Sequence, residues 1–356
     1  MKNKSTSSVS PIKIINSVAP IRICDIGGWT DTWFAGHGQI FNIGVYPYAE
    51  VQITVFPAGS QANRITVYPE DFGVPYSMDE TKNGEHPLLE SAIRRIGLPK
   101  DFDILISVHS DAPAACSTGT SASVCVALVA AMCELNQKKI TPLEIAYEAH
   151  RVETEDLKQQ SGIQDQICAA FGGINFIEMK KYPYDNVVTQ ITLPDNIWWE
   201  LERRICLVFL GKKHSSSQVH QAVIKNLETG SRDAQALLET LRLAAIKAKS
   251  AIEVGDFVAF GQAATDCNDG QRKLHSELIC PQADQVLTLA KSYGAMGGKV
   301  NGAGGDGGSV TIISGSNMAQ KRKMISAILS LNPAFKIIPT YLSRRGLRVW
   351  STTPDI

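Results

Sequence analysis

The sequence predicts an α+β protein in two parts. Strand-like and helix-like segments mix without a strict βαβ alternation. The chain has 356 residues, too many for one compact core. A proline-bearing stretch with no clear period, 180–196, separates the two halves. The parts are therefore placed at 1–195 and 196–356.

The first part opens with short apolar-rich strands at 12–18, 40–45, 50–56 and 63–68. Helical spacing follows at 87–96 and strand alternation at 104–108. A turn-rich segment, 111–120, leads into an apolar helix at 121–135. An amphipathic helix at 143–160 and a short helix at 164–170 complete this part. The second part begins with a strand at 204–210 and continues with helices at 218–227, 233–254, 256–268 and 281–293. A glycine-dense loop, 297–308, precedes a strand at 309–313, a helix at 318–331 and strands near 336–341 and 346–350.

Lys+Arg and Asp+Glu both number 35, so net charge gives no case for nucleic acid or an anionic membrane as partner. Any bound anion must be held by local geometry. The longest apolar stretch, 124–133, is too short to span a bilayer, and the N-terminus lacks an apolar signal core. The 8 cysteines form no C-x-x-C pair, which fits reduced, buried thiols in a cytoplasmic protein.

Three segments invite a chemical reading. In the first, Pro113, Ser117, Thr118, Gly119, Thr120, Ser121, Ala122 and Ser123 crowd a helix start. Small residues let the backbone approach a phosphate, and the free amides of the helix start attract anions. The hydroxyls suit phosphate or magnesium, although an ordinary Ser/Thr cap explains them equally well. No Gly-Lys-Ser/Thr closes the segment, so it is not a P-loop.

The second is the run from Lys299 to Ser309, which contains G-x-G-x-x-G from Gly302 to Gly307. A dinucleotide fold fails here, because too few residues follow and no Asp or Glu occurs between Val310 and Pro354. The run is then either a tight turn or a backbone surface against a ligand. Asp306 within it would repel phosphate unless it faces away or meets a metal.

The third comprises carboxylates lying between these loops. Most acids of the 143–160 helix belong to a solvated face, but Glu153 shares a side with Ala146 and Ala149; if that side faces inward, its carboxylate needs a partner, and magnesium would serve. Asp165 starts a short helix, as a capping or first-turn acid also would.

These segments, in this order, resemble the GHMP kinase superfamily. Its Pro-x-x-x-Gly-Leu-Gly-Ser-Ser-Ala motif matches Pro113 to Ala122, with Ser117 and Thr118 where Gly and Leu are usual. Its late glycine motif matches Gly302 to Gly308, and Ala19 to Asp31 resembles its substrate-side motif.

The resemblance implies a ribosomal-protein-S5-like first domain, a ferredoxin-like second domain, and ATP with Mg²⁺ bound between them. It implies that the segment from Pro113 to Ser123 holds nucleotide, that Ser121 and Glu153 hold the metal, and that Asp165 and Arg22 are catalytic. Gly27, Gly28, Trp29, Thr30, Asp31, Gly302, Gly304 and Gly305 would lie against the substrate.

Gly27-Gly28-Trp29 stands where galactokinase has Gly-Glu-His, so an acid that could grip a hexose is absent at Gly28. The Gly-Gly-x-Thr-Asp pattern and the segment from Ser161 to Asn175 look like the branch acting on D-glycero-D-manno-heptose 7-phosphate. Fucokinase-like enzymes share Gly-Gly-Trp-Thr-Asp-Thr. The expected activity is phosphorylation of a sugar phosphate at its anomeric hydroxyl. A free-sugar kinase or a non-catalytic ATP-binding sensor is the alternative, and no oligomeric state is implied. Lys212, Lys213 and His214 are candidates to meet an acceptor phosphate, or else form a solvated basic loop.

Overall fold

The computed structural model describes residues 9–71, 73–81, 84–212 and 217–353. Strands β1 (Lys13–Ile26), β2 (Gly38–Pro57), β3 (Ile65–Pro69) and β4 (Tyr76–Ser77) come first. Helix α1 (Pro87–Ile96), strand β5 (Phe102–Ser110) and helices α2 (Thr120–Leu135), α3 (Pro142–Arg151) and α4 (Gln164–Phe171) follow. The hairpin β6 (Ile174–Lys181) and β7 (Asp185–Gln190) leads to α5 (Asp195–Arg204) and β8 (Ile205–Phe209). Next come α6 (Ser217–Glu228), α7 (Arg232–Glu253), α8 (Phe257–Leu274) and α9 (Pro281–Ser292). The chain closes with β9 (Gly297–Val300), β10 (Ser309–Ile313), α10 (Met318–Leu331), β11 (Lys336–Ile338), β12 (Tyr341–Leu342) and β13 (Arg348–Thr352).

Two sheets result. The larger runs β13-β1-β2-β5-β3-β4, with β6, β7 and β12 attached through β2, and the smaller runs β11-β8-β10-β9. The expected α+β class is borne out. The boundary expected at 195/196 falls at the entry to α5, and the segment beyond it feeds both sheets, since β12 and β13 return to pair β2 and β1.

Two expected strands, 40–45 and 50–56, are one continuous strand. β1 pairs with both ends of β2 but shifts register between Pro20 and Ile21, leaving Tyr46 and Pro47 of β2 without a β1 partner. Pro47 thus occupies a bulge, where its missing N–H costs no ladder bond. The stretch 180–196, which gave no period, holds the β6–β7 turn, β7 and the start of α5.

Helix α2 is apolar nearly all round because it is covered nearly all round, by the large sheet and by α1, α3 and α4. Helix α3 starts at a capping box, in which Glu144 N donates to Thr141 Oγ1 and Glu144 accepts from Thr141 N. The helix expected to reach residue 160 stops being α-helical at Arg151. One π-type turn, Val152–Asp156, follows it. Arg95 of α1 clamps the outside of that turn through Glu155 and Asp156.

All 8 cysteines are buried and free, as expected. Among the described residues no helix is long and apolar enough to cross a membrane.

Candidate active site

The turn before α2 is built from alternating left-handed residues, with φ of 56° at Ala115, 62° at Ser117 and 69° at Gly119. Glycine suits position 119 on two counts. Its φ is left-handed, which costs glycine least, and a Cβ there would lie tightly against Asp165, 3.0 Å from Oδ2. The hydroxyl-rich turn and the acid at the start of α4 are therefore in contact, although far apart in sequence.

Arg22 of β1 ties them together. Its Nε donates to Asp165 Oδ1 at 2.7 Å, Nη2 to Oδ2 at 3.0 Å and Nη1 to the Ser117 carbonyl at 2.5 Å. Burial disfavours its charge, but the Asp165 and Asp25 carboxylates outweigh this and raise its pKa above the ordinary arginine value.

The hydroxyls expected to face phosphate or metal divide. Ser121 is exposed at the helix start and Thr120 is half-buried. Ser123 is buried, donating to Pro20 O at 2.7 Å and Gly119 O at 3.1 Å. Thr118 is also buried, with its Oγ1 2.7 Å from Cys116 Sγ. Ser123 and Thr118 therefore hold the turn rather than present oxygen to a ligand.

Two cavities flank the turn. One, about 560 Å³, has apolar walls from Pro69, Leu88, Val108 and Val124, with Pro113, Thr120 and Ser121 also on its surface. The other, about 200 Å³, is lined by Arg22, Gly28, Trp29, Asp31, Asp165 and Gly302, among others. Asp31 accepts from Gln164 N at 3.0 Å, and burial lifts its pKa to about 6. Gly162 has no room for a side chain, since a Cβ would fall 2.1 Å from Asp31 Oδ2.

Four residues expected against substrate do not line this cavity. Gly27 backs onto Gln39 O. Thr30 donates to Gly27 O at 2.7 Å and closes the turn. Gly304 and Gly305 pack on Leu278, with Gly305 N donating to its carbonyl at 2.8 Å. These residues shape the loops; Gly28, Trp29, Asp31 and Gly302 face the space.

Glu153 is buried as expected, and the π-type turn carries it. Its Oε2 accepts from Ser161 Oγ at 2.8 Å and Gln166 Nε2 at 2.9 Å, while burial raises its pKa to about 7. A buried carboxylate with oxygen-rich neighbours suits a hard cation. Ser121, exposed at the start of α2, and Glu153 are the residues that the family resemblance assigns to magnesium. No group of three or more His, Cys, Asp or Glu among the described residues forms a separate metal cluster.

Asp306 faces outward and pairs with Lys212, which removes the expected conflict with phosphate and engages one of the three candidate cations. Lys213 and His214 lie outside the described residues. Sequence reasoning missed Asp25 and Lys299, a buried ion pair at 2.7 Å beside Arg22. Both stand inside the quoted motifs, yet nothing local distinguishes them from framework residues.

A hydroxyl-rich turn, an arginine-bonded acid beside it and two neighbouring cavities form an arrangement suited to small-molecule phosphoryl transfer. Known proteins agree. Residues 87–173 match the GHMP kinases N terminal domain and residues 248–324 the GHMP kinases C terminal. A D-glycero-alpha-D-manno-heptose 7-phosphate kinase of Campylobacter jejuni is 30% identical over 63% of this chain and 66% of its own length, just under two thirds. An L-fucokinase/L-fucose-1-P guanylyltransferase of Bacteroides fragilis is 22% identical over 95% of this chain but 38% of its own. A crystal structure of a D-glycero-D-manno-heptose 1-phosphate kinase from Bacteroides thetaiotaomicron superposes with a TM-score of 0.72 at 24% identity, covering 94% of this chain and 98% of that one. The chain belongs to the GHMP kinase superfamily, whose members are ATP-dependent phosphotransferases acting on alcohol groups.

Proposed function

We propose that this protein transfers the γ-phosphoryl group of ATP to the anomeric hydroxyl of a sugar, with D-glycero-D-manno-heptose 7-phosphate as acceptor and the 1,7-bisphosphate as product. The observation that carries the reading is the contact of Asp165 with both Arg22 and the Gly119 turn, with Asp165 and Arg22 in the lining of the smaller cavity. The similarity to the Campylobacter jejuni kinase supports the choice of acceptor.

The chain's residues divide the work. Amides of the first turn of α2 hold the polyphosphate, and the apolar cavity takes the base. Magnesium, when bound, neutralises phosphate charge. Asp165 takes the proton of the attacking hydroxyl. Arg22 stabilises the negative charge growing on that oxygen. Asp31 accepts from a neighbouring sugar hydroxyl and so fixes the angle of approach. Mutual placement contributes most, because phosphoryl transfer asks the protein for little covalent chemistry.

One observation favours a second reading, a free sugar as acceptor. The acceptor cavity carries Asp25, Asp31 and Asp165, while Arg22 is the only arginine or lysine among its described lining residues and is already bonded to Asp165. ADP production with heptose 7-phosphate, free heptose, L-fucose and D-galactose separates the two. Strong preference for the phosphorylated heptose is expected, and equal turnover of the free sugars overturns that choice of acceptor. Tight ATP binding with no ADP formed on any sugar would leave a sensor.

A further inference from the structure

Asp25, the last residue but one of β1, stands in the wall of the smaller cavity with Arg22, Asp31 and Asp165. Its side chain and that of Lys299 are each 1% exposed. Lys299 Nζ donates to Asp25 Oδ1 at 2.7 Å and to Val300 O at 2.5 Å. Burying a carboxylate is costly, and the lysine offsets that cost by pinning one oxygen. The other oxygen, Oδ2, makes no hydrogen bond among the described residues. Its nearest cationic partner, Arg22 Nη2, is 4.0 Å away, beyond hydrogen-bond length.

Residue 28 is glycine, and a Cβ built there would lie 3.4 Å from Asp25 Oδ2 and 3.2 Å from Gln164 Nε2. The carboxylate of Asp25 therefore comes up against the space that a side chain at 28 would enter. Asp25 thus reaches the wall beside position 28 from the strand.

We propose that Asp25 is a specificity-determining residue, whose Oδ2 accepts a hydrogen bond from a hydroxyl of the acceptor sugar, held in position by Lys299 and admitted by Gly28. The inference rests on the sugar-kinase reading and deepens it. Asp165 takes the proton of the reacting hydroxyl, Asp31 reads one side of the ring, and Asp25 reads a second hydroxyl. No covalent step is assigned to it.

Steady-state kinetics test this with heptose 7-phosphate, D-mannose, and 2-deoxy, 4-deoxy and 6-deoxy forms of D-mannose. Asp25→Asn is expected to raise the acceptor KM roughly 10- to 100-fold, the effect of losing one hydrogen bond to a charged group. The KM for ATP should change by less than about threefold. One deoxy sugar, poor for the native enzyme, should be handled nearly equally by native enzyme and variant, because each has lost one side of the same contact.

The double variant Asp25→Asn/Lys299→Met removes both buried charges. It should keep the raised acceptor KM if the contact is with sugar, and regain the native KM if the single variant failed only through an unpaired lysine. Regained KM, or losses of equal factor for every deoxy sugar in both enzymes, overturns the inference alone. A native protein that forms no ADP with any of these acceptors overturns the sugar-kinase reading and this inference with it.

Discussion

In the proposed reaction Asp165 takes the acceptor's proton, and its setting makes a kinetic prediction. Replacing it with Asn preserves shape but removes the proton acceptor and the charge opposite Arg22. Asp165→Asn should lower kcat roughly 100-fold or more while the KM for ATP stays near native, read by coupled ADP release. Asp31 makes a different prediction, about stability. Burial raises its folded pKa from 3.8 to about 6. Between those values the folded state holds a proton that the unfolded state has lost, so the residue reduces stability as pH rises through that window. Asp31→Asn removes the ionisation and can still accept from Gln164 N. The variant should gain on the native protein between pH 4 and 6, by about 3 kcal/mol at pH 7 in denaturant titrations. A difference independent of pH would refute the buried, titrating carboxylate.

Elements deliver these residues. β1 carries Arg22 and Asp25, the start of α2 supplies the turn proposed to hold phosphate, and the first turn of α4 brings Asp165. Glu153 depends on α3 and the π-type turn that ends it. Its direction is set by where that helix starts and by the clamp of Arg95 on its outer side. Thr141→Ala removes one half of the capping box at the far end of α3. It should cost about 1 kcal/mol, seen as a lower midpoint in urea, with kcat close to native. A large kcat loss with unchanged stability would mean that α3 positions Glu153 more delicately than its packing suggests.

Of the three core clusters among the described residues, one crosses the division into halves. Phe41 of β2 meets Phe260 of α8 edge-on, with ring centres 5.4 Å apart and both side chains fully buried. The same core cluster joins Ile21 and Ile43 to Leu238 and Leu241 of α7. Phe260→Ala should destabilise the protein by about 3–5 kcal/mol. Calorimetry should still show one cooperative transition, because the removed contact belongs to both halves. Two separated transitions in the native protein would show the halves to be independent.

Sequence alone determined the local features. Helix α1 and the apolar α2, the strand at 309–313 and the two small-residue turns follow from periodicity and backbone freedom, which act over a few residues. The inward side of Glu153 was legible for the same reason. Where expectation and structure part, a distant partner decided. β2 is one strand because β1 pairs with both its ends, and Thr118 and Ser123 turn inward because Thr118 meets Cys116 Sγ and Ser123 donates to Pro20 O there. The meeting of Arg22, Gly119 and Asp165, and the Asp25–Lys299 pair, belong to tertiary structure only. Each joins residues that chain order separates widely. A carboxylate's worth depends on the burial and charge around it, which no local pattern encodes.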